Sequence, residues 1–178
     1  MNILSITLRG GLLALACLSA PSSAQLLSDP NENWKEEEYT LPAAPREAAL
    51  REFSVSATTP HRFYVDEDSL SVGEDGVVRF VLVVRSAGGA TNVTFEGIRC
   101  VTGERRLYAS GRANGEWSPA RNSAWEPIVD NSYDRPRAAL AYDYLCDGPA
   151  PPRNRAAALK LLKTSQPGFR HLHEGIVR

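Results

Sequence analysis

The chain has 178 residues, 20 basic and 21 acidic side chains, a formal net charge of −1, and 43% hydrophobic residues. These proportions fit an ordinary globular protein and exclude collagen-like, coiled-coil and strongly disordered chains. With no basic excess there is no electrostatic footprint for nucleic acid, and no nucleic-acid partner is expected.

The first 24 residues read as an export signal. Arg9 is the only charge before Asp29, the apolar run Leu12–Leu18 follows it, and Ser22-Ser23-Ala24 supplies small residues for cleavage after Ala24. Gly10, Gly11, Ser19, Pro21 and Ser22 interrupt the run before the roughly 20 apolar residues a membrane-spanning helix needs. A second processing route, lipidation at Cys17 behind Ala14-Leu15-Ala16, would anchor the chain to a membrane, but the usual large aliphatic residue three places upstream is missing. Removing residues 1–24 also removes Cys17 and leaves Cys100 and Cys146. In an oxidising compartment such a pair reads as one disulfide, worth roughly 4 kcal/mol by chain entropy. The alternative is two buried thiols.

Charge divides the remainder. Residues 25–52 carry −4, residues 53–147 carry −3 and residues 148–178 carry +5. Residues 25–44 are polar, lack an apolar period and end in prolines, so they read as an extended or disordered lead-in. Pro45 opens a short helix over Arg46–Glu52, too short to stand without docking. Two short strands follow, Arg62–Asp66 and Ser69–Val72, and Glu74-Asp75-Gly76 is a hairpin signal. Val77–Arg85 (VVRFVLVVR) is the clearest strand. It places Val78, Phe80, Leu82 and Val84 on an apolar face towards the core, and Arg79, Val81, Val83 and Arg85 on a mixed, partly exposed one. Strands over Asn92–Val101 and Arg105–Ser110 complete an antiparallel meander, and residues 111–122 read as irregular.

A helix is predicted from Arg135-Pro136 to Cys146, with Pro136, Leu140 and Tyr144 sharing a face and Asp147-Gly148-Pro149 as its stop. A linker, Pro149-Ala150-Pro151-Pro152, leads to a cationic amphipathic stretch over Arg155–Lys163. The expected organisation is therefore a signal peptide (1–24), a lead-in (25–44), an α+β domain (45–147) and a Pro-rich linker with a basic tail (148–178). Within the domain, an antiparallel β-meander of four to six strands carries a short C-terminal helix, stapled to it by Cys100–Cys146.

Phe63-Tyr64-Val65-Asp66, Ser69-Leu70, Asp75-Gly76, Phe95-Glu96-Gly97-Ile98-Arg99-Cys100, Tyr108, Gly115-Glu116-Trp117, Trp125 and Tyr144-Leu145-Cys146 together resemble the cryptic-neisserial-protein-like family. The likeness runs from about Trp34 to residue 147 and omits the basic tail. It implies an exported protein in the periplasm or cell envelope of a Gram-negative bacterium, and it transfers no catalytic residue. More loosely, the same run is similar to envelope domains of the surface-adhesin protein E type, an analogy at the level of fold.

Catalytic chemistry finds little footing in the residues. His61 is the only histidine between residues 25 and 147, and it reads as a surface or half-buried side chain. No Gly-x-Ser-x-Gly elbow occurs. The acidic runs at Asp66-Glu67-Asp68 and Glu74-Asp75 lack calcium-loop spacing, and His171-Leu172-His173 has no further ligand nearby. No metal or cofactor is expected. Glu96 and Glu116 are the carboxylates to inspect for glycoside hydrolysis, although Glu96 reads more simply as the partner of a cross-strand arginine such as Arg99 or Arg79.

A candidate recognition surface for an envelope protein, peptide or glycan comprises Arg112, Glu116, Trp117, Arg121, Trp125 and Tyr133, since arginine and aromatic side chains anchor such surfaces. The plainer reading has both tryptophans capping the open face of the sheet. The basic tail is a candidate for contact with anionic lipid, another polyanion or the acidic lead-in, against the plain alternative of a solvated tail. The function expected is a non-catalytic binding or structural role in the envelope. The alternative is an enzyme acting on an envelope polymer such as a glycan.

Overall fold

The alternation of Val77–Arg85 sets the frame. The structure, a computed structural model, describes residues 29, 31–129 and 131–165; the signal segment, Cys17 and His171–His173 lie outside the described residues. Seven strands occur in chain order: β1 Leu50–Phe53, β2 Arg62–Val72, β3 Val77–Arg85, β4 Thr91–Arg99, β5 Glu104–Gly111, β6 Trp117–Pro119 and β7 Trp125–Pro127. All pairs are antiparallel, and β1 to β6 are neighbours in sequence order. β6 and β7 share one edge of β5, β6 along Ala109–Gly111 and β7 along Glu104–Arg106. The α+β meander stands, with β6 and β7 as additional three-residue strands. Runs that short show no alternation of their own and are defined by their pairing to β5.

Two expected elements take other forms. The segment read as a helix over Arg46–Glu52 is a single 3-10 turn, Glu47–Ala49, followed directly by β1. A helix of seven residues is marginal in water, whereas pairing of Leu50–Phe53 with Phe63–Asp66 satisfies the same backbone groups. The two short strands at 62–72 are one strand, β2, whose ladder to β3 breaks between Asp66 and Ser71. Ser69 fills the break: its Oγ accepts from the Val81 amide at 2.9 Å and donates to the Asp66 carbonyl at 2.9 Å. The β2–β3 hairpin closes at Gly76, whose φ of 76° is left-handed, as Asp-Gly predicts.

One face of the sheet carries the helices. Helix α1, Arg135–Ala139, continues as a π-helical turn, Leu140–Leu145. Phe80, Leu82 and Ile98 from the sheet meet Leu140, Tyr144 and Leu145 in one apolar cluster. Cys100 and Cys146 form a disulfide, tying the end of the π-turn to the end of β4. Helix α2, Arg155–Thr164, is capped by the Asn154 side chain accepting from the Ala157 amide, and it buries Ala158 and Leu162 in the same cluster. The segment expected as linker and tail thus contributes a docked helix. Its Lys163 meets the Glu67 carboxylate at 3.3 Å, and Arg155 donates to the Glu67 carbonyl at 2.7 Å.

The opposite face, expected to be partly exposed, is covered. Val81 and Val83 join Tyr64, Phe95 and Tyr108 in a second buried cluster. The cover is residues 31–46, which carry no helix or strand and lie across this face as a strap. Trp34 Nε1 donates to the Asp75 carbonyl at 2.9 Å, and its ring faces the Arg99 guanidinium at 3.8 Å. Tyr39 lies 4.2 Å from Tyr108 by ring centroids, and Trp117 Nε1 donates to the Pro42 carbonyl at 2.7 Å. The latch is Glu36, whose carboxylate accepts from Arg79, Arg106, Tyr108 and Trp125. Glu36 of the lead-in therefore pairs with two arginines of the sheet, Arg79 and Arg106. Tyr108 reaches the strap across Gly97, where a Cβ would stand 2.5 Å from the Tyr108 hydroxyl, so a side chain on Gly97 would displace the ring.

Candidate functional site

The helices cover only part of their face. α1 lies over β4 and β5, with Asp134 against Arg105 and Arg137 against Glu96, and towards the β3–β4 turn Thr91, Asn92 and Ser110 stay exposed. A cleft of about 700 Å³ opens there. Antiparallel register explains its floor. Asn92 and Thr94 in β4 sit opposite Val84 and Leu82, on the same face as the apolar core, and Ser110 in β5 sits opposite Thr94. Polar side chains thus stand where the alternation of β3 demands core. Phe63, Val84 and Leu107 supply the apolar part of the floor. One wall is the β1–β2 loop, with Thr58, Thr59 and His61; the other is the start of α1, with Tyr133, Arg135 and Pro136.

A buried ion pair underlies this wall. Arg137 donates from Nε to Glu96 Oε2 at 2.8 Å and from Nη2 to Glu96 Oε1 at 2.5 Å, and the Thr94 hydroxyl donates to Glu96 Oε1 at 2.6 Å. Burial works against the Arg137 charge, but the Glu96 carboxylate holds its pKa above the usual guanidinium value. The partner of Glu96 is therefore Arg137 of α1, and neither Arg99 nor Arg79. Arg99 meets Trp34 and Asn31, while Arg79 faces the strap through Asp75 and Glu36. A second pair, Arg105–Asp134 at 2.5 Å, secures the residue before α1. Tyr133 lies beside both pairs, its ring centroid 4.3 Å from the Arg137 guanidinium and 5.1 Å from that of Arg105, with 53% of the residue exposed.

A sequence profile of the CNP1-like family matches residues 29–163. The chain belongs to this family. It is 32% identical over 143 residues to Cryptic neisserial protein 1 of Neisseria gonorrhoeae, an alignment covering 60% of this chain and 70% of that protein. No solved structure matches. The CNP1-like match is wider than the likeness read from the motifs, for it begins at residue 29 and takes in nearly all of α2. The docked helix is a packed part of the CNP1-like unit.

The six residues proposed as a recognition surface do not form one surface. Trp117 and Trp125 lie on the strap face, where Trp125 Nε1 donates to Glu36 at 3.0 Å and its ring stands edge-on to Trp34 at 5.9 Å. They hold the strap, as capping residues would. Arg112 and Glu116 are exposed in the β5–β6 turn, where Arg112 donates to Ser118 at 3.3 Å and Glu116 accepts from Asn114 at 2.8 Å. Arg121 is exposed between β6 and β7. Tyr133 alone lines the cleft. Among the described residues no group of three or more His, Cys, Asp or Glu side chains could hold a metal ion, and no helix is long and apolar enough to cross a membrane.

Sequence reasoning gave no site role to Asn92, Thr94, Ser110 or the 58–61 loop, in which His61 reads as a surface or half-buried side chain. The signal for the strand residues was present, since pairing β4 with β3 puts Asn92 and Thr94 on the core face. The loop carried no pattern.

Proposed function

We propose that this CNP1-like protein is exported to the cell envelope and acts there without catalysis, binding a ligand in the cleft beside α1. The observation that carries the binding role is the polar and apolar floor left uncovered on the helix face of the sheet. Clefts of roughly 300–1,000 Å³ with a few convergent polar groups are the usual form of a ligand site. Export draws support from the signal-like N-terminus and from the Cys100–Cys146 bridge, a bond that persists in oxidising compartments.

The enzyme alternative needs acid–base groups in reach of a ligand. Of the two carboxylates inspected, Glu96 lies beneath the floor with both oxygens engaged by Arg137, and Glu116 stands in the β5–β6 turn. A non-catalytic role accords with that placement. Ser110→Trp fills the cleft from an exposed position and tests the reading. A soluble digest of envelope polymers should raise the melting temperature of the wild-type protein and leave that of Ser110→Trp unchanged, with the digest itself unaltered on chromatography. An equal rise in both proteins would contradict the cleft, and time-dependent cleavage of the digest would support the enzyme.

A further inference from the structure

Building on the cleft as the binding site, we infer that its ligand is an uncharged saccharide. The first ground is that the charges around the cleft already have partners. The titratable side chains lining it are His61, Tyr133, Arg135 and Arg137, with no acid among them. Arg137 donates to both oxygens of Glu96 and to the Tyr133 carbonyl. Arg135 has an interaction partner of its own within the protein. His61 Nδ1 accepts from the Ala87 amide at 3.3 Å, a role open only to a nitrogen without a hydrogen, so towards a ligand the ring offers Nε2–H as a donor. A ligand with a net charge would shed hydration here and find no free opposite charge to replace it.

The second ground is what remains for a ligand to bond. Asn92 and Ser110 stand exposed on the floor, and neither side chain has a hydrogen-bond partner among the described residues. An amide and a hydroxyl each donate and accept. The Thr94 hydroxyl gives its hydrogen to Glu96 at 2.6 Å, so towards a ligand its oxygen accepts. Neutral groups that work in both directions are the complement of sugar hydroxyls, which also do both.

The third ground is how polar and apolar groups are laid out. Phe63, Val84 and Leu107 share one floor with Asn92, Thr94 and Ser110. A sugar ring presents the matching mixture, C–H groups on its faces and hydroxyls around its rim. Tyr133, half exposed at the edge of the cleft, adds an aromatic body with a polar tip. The floor is also a sheet face, and the backbone groups of β2 to β5 beneath it are paired in their ladders. An extended peptide usually gains affinity by adding a strand to an open edge, where free N–H and C=O groups await it. A face offers only side chains, so its ligand must carry donors and acceptors around its own rim.

The test divides the soluble digest of envelope polymers by ion exchange into uncharged, anionic and cationic fractions, and reads the melting temperature of the protein with its disulfide intact. The rise should follow the uncharged fraction, survive protease treatment of that fraction and disappear after periodate, which cleaves vicinal diols. It should be equal at low and high salt, since no ion pair is there to be screened. Asn92→Ala and Ser110→Ala, both at exposed positions, should each raise the amount of fraction needed for half the full rise by about three- to tenfold, the worth of one neutral hydrogen bond. Ser110→Trp should abolish the rise. A rise carried by a charged fraction, or one that fades with salt, would overturn the uncharged ligand. A rise that resists periodate or is lost to protease would overturn the saccharide, and unchanged half-points in both alanine variants would overturn the hydrogen-bonding floor. In each of these cases a rise still absent from Ser110→Trp leaves the cleft reading standing, whereas an equal rise in Ser110→Trp, or no rise from any fraction, would overturn both.

Discussion

Four donors converge on the Glu36 carboxylate, from β3, β5 and β7. Glu36 is 13% exposed and Arg79 6%, so this pair is close to buried. Removing one partner of such a pair leaves uncompensated charge, at a cost of about 3–5 kcal/mol when burial is complete. Glu36→Gln should therefore destabilise the protein by about 2–3 kcal/mol in urea unfolding, with the loss of protection in hydrogen exchange concentrated in residues 31–46 and β5. Titration should report the same face. Burial and the bond to Glu36 push the Tyr108 phenol well above its ordinary value. A group raised in the folded state contributes stability that is full below its unfolded pKa and declines above it, so stability should fall as pH rises past about 10. Although burial opposes it, Arg79 and the amides of Glu37 and Val77 hold Asp75 below the usual carboxylate range. Its contribution is present above about pH 4 and lost as pH falls through the lowered value. Unfolding free energy measured across pH should accordingly decline at both extremes, and Asp75→Asn should remove the acid limb attributable to that group.

At the scale of elements, regular alternation was legible and docking was not. VVRFVLVVR declared β3 and its core face because nine residues repeat with period two. The pair Cys100 and Cys146 declared the staple because the signal cleavage expected after Ala24 would leave two thiols. Nothing local declared that Glu36 would meet Arg79, since that contact spans 43 residues. The clue to the covered second face was the pairing of an acidic lead-in containing Trp34 and Tyr39 with a strand face bearing Arg79. The cleft was legible only once β4 was registered against β3, which exposes Asn92 and Thr94 as polar residues in core positions. Helix α2 was visible as an amphipathic run, while its attachment rests on Ala158 and Leu162 reaching a core built from distant strands. Leu162→Ala should cost about 2–4 kcal/mol, as for other buried leucines, whereas Lys160→Ala on the exposed side should change stability by less than about 0.5 kcal/mol. Comparable losses for both variants would contradict docking.

Across the whole molecule, the two faces of one sheet are put to different uses. The strap begins at the end of the sheet near Arg99 and Asp75, beside the β2–β3 turn. The cleft opens at the other end, by the β3–β4 turn, roughly 27 Å away along the nine residues of β3. The N-terminal chain therefore arrives at one end and the bare floor is presented at the other. In this arrangement the tryptophans of the strap face are spent on packing, and the ligand recognition proposed above is assigned to the cleft. The most direct test of that division is amide chemical-shift mapping by NMR on the protein, titrated with a soluble digest of envelope polymers. The account predicts shifts clustered at residues 91–94, 107–111 and 132–136, with residues 34–42 and 117–119 unmoved. Shifts centred on the strap and Trp117, or saturable binding that leaves the cleft amides unchanged, would contradict it.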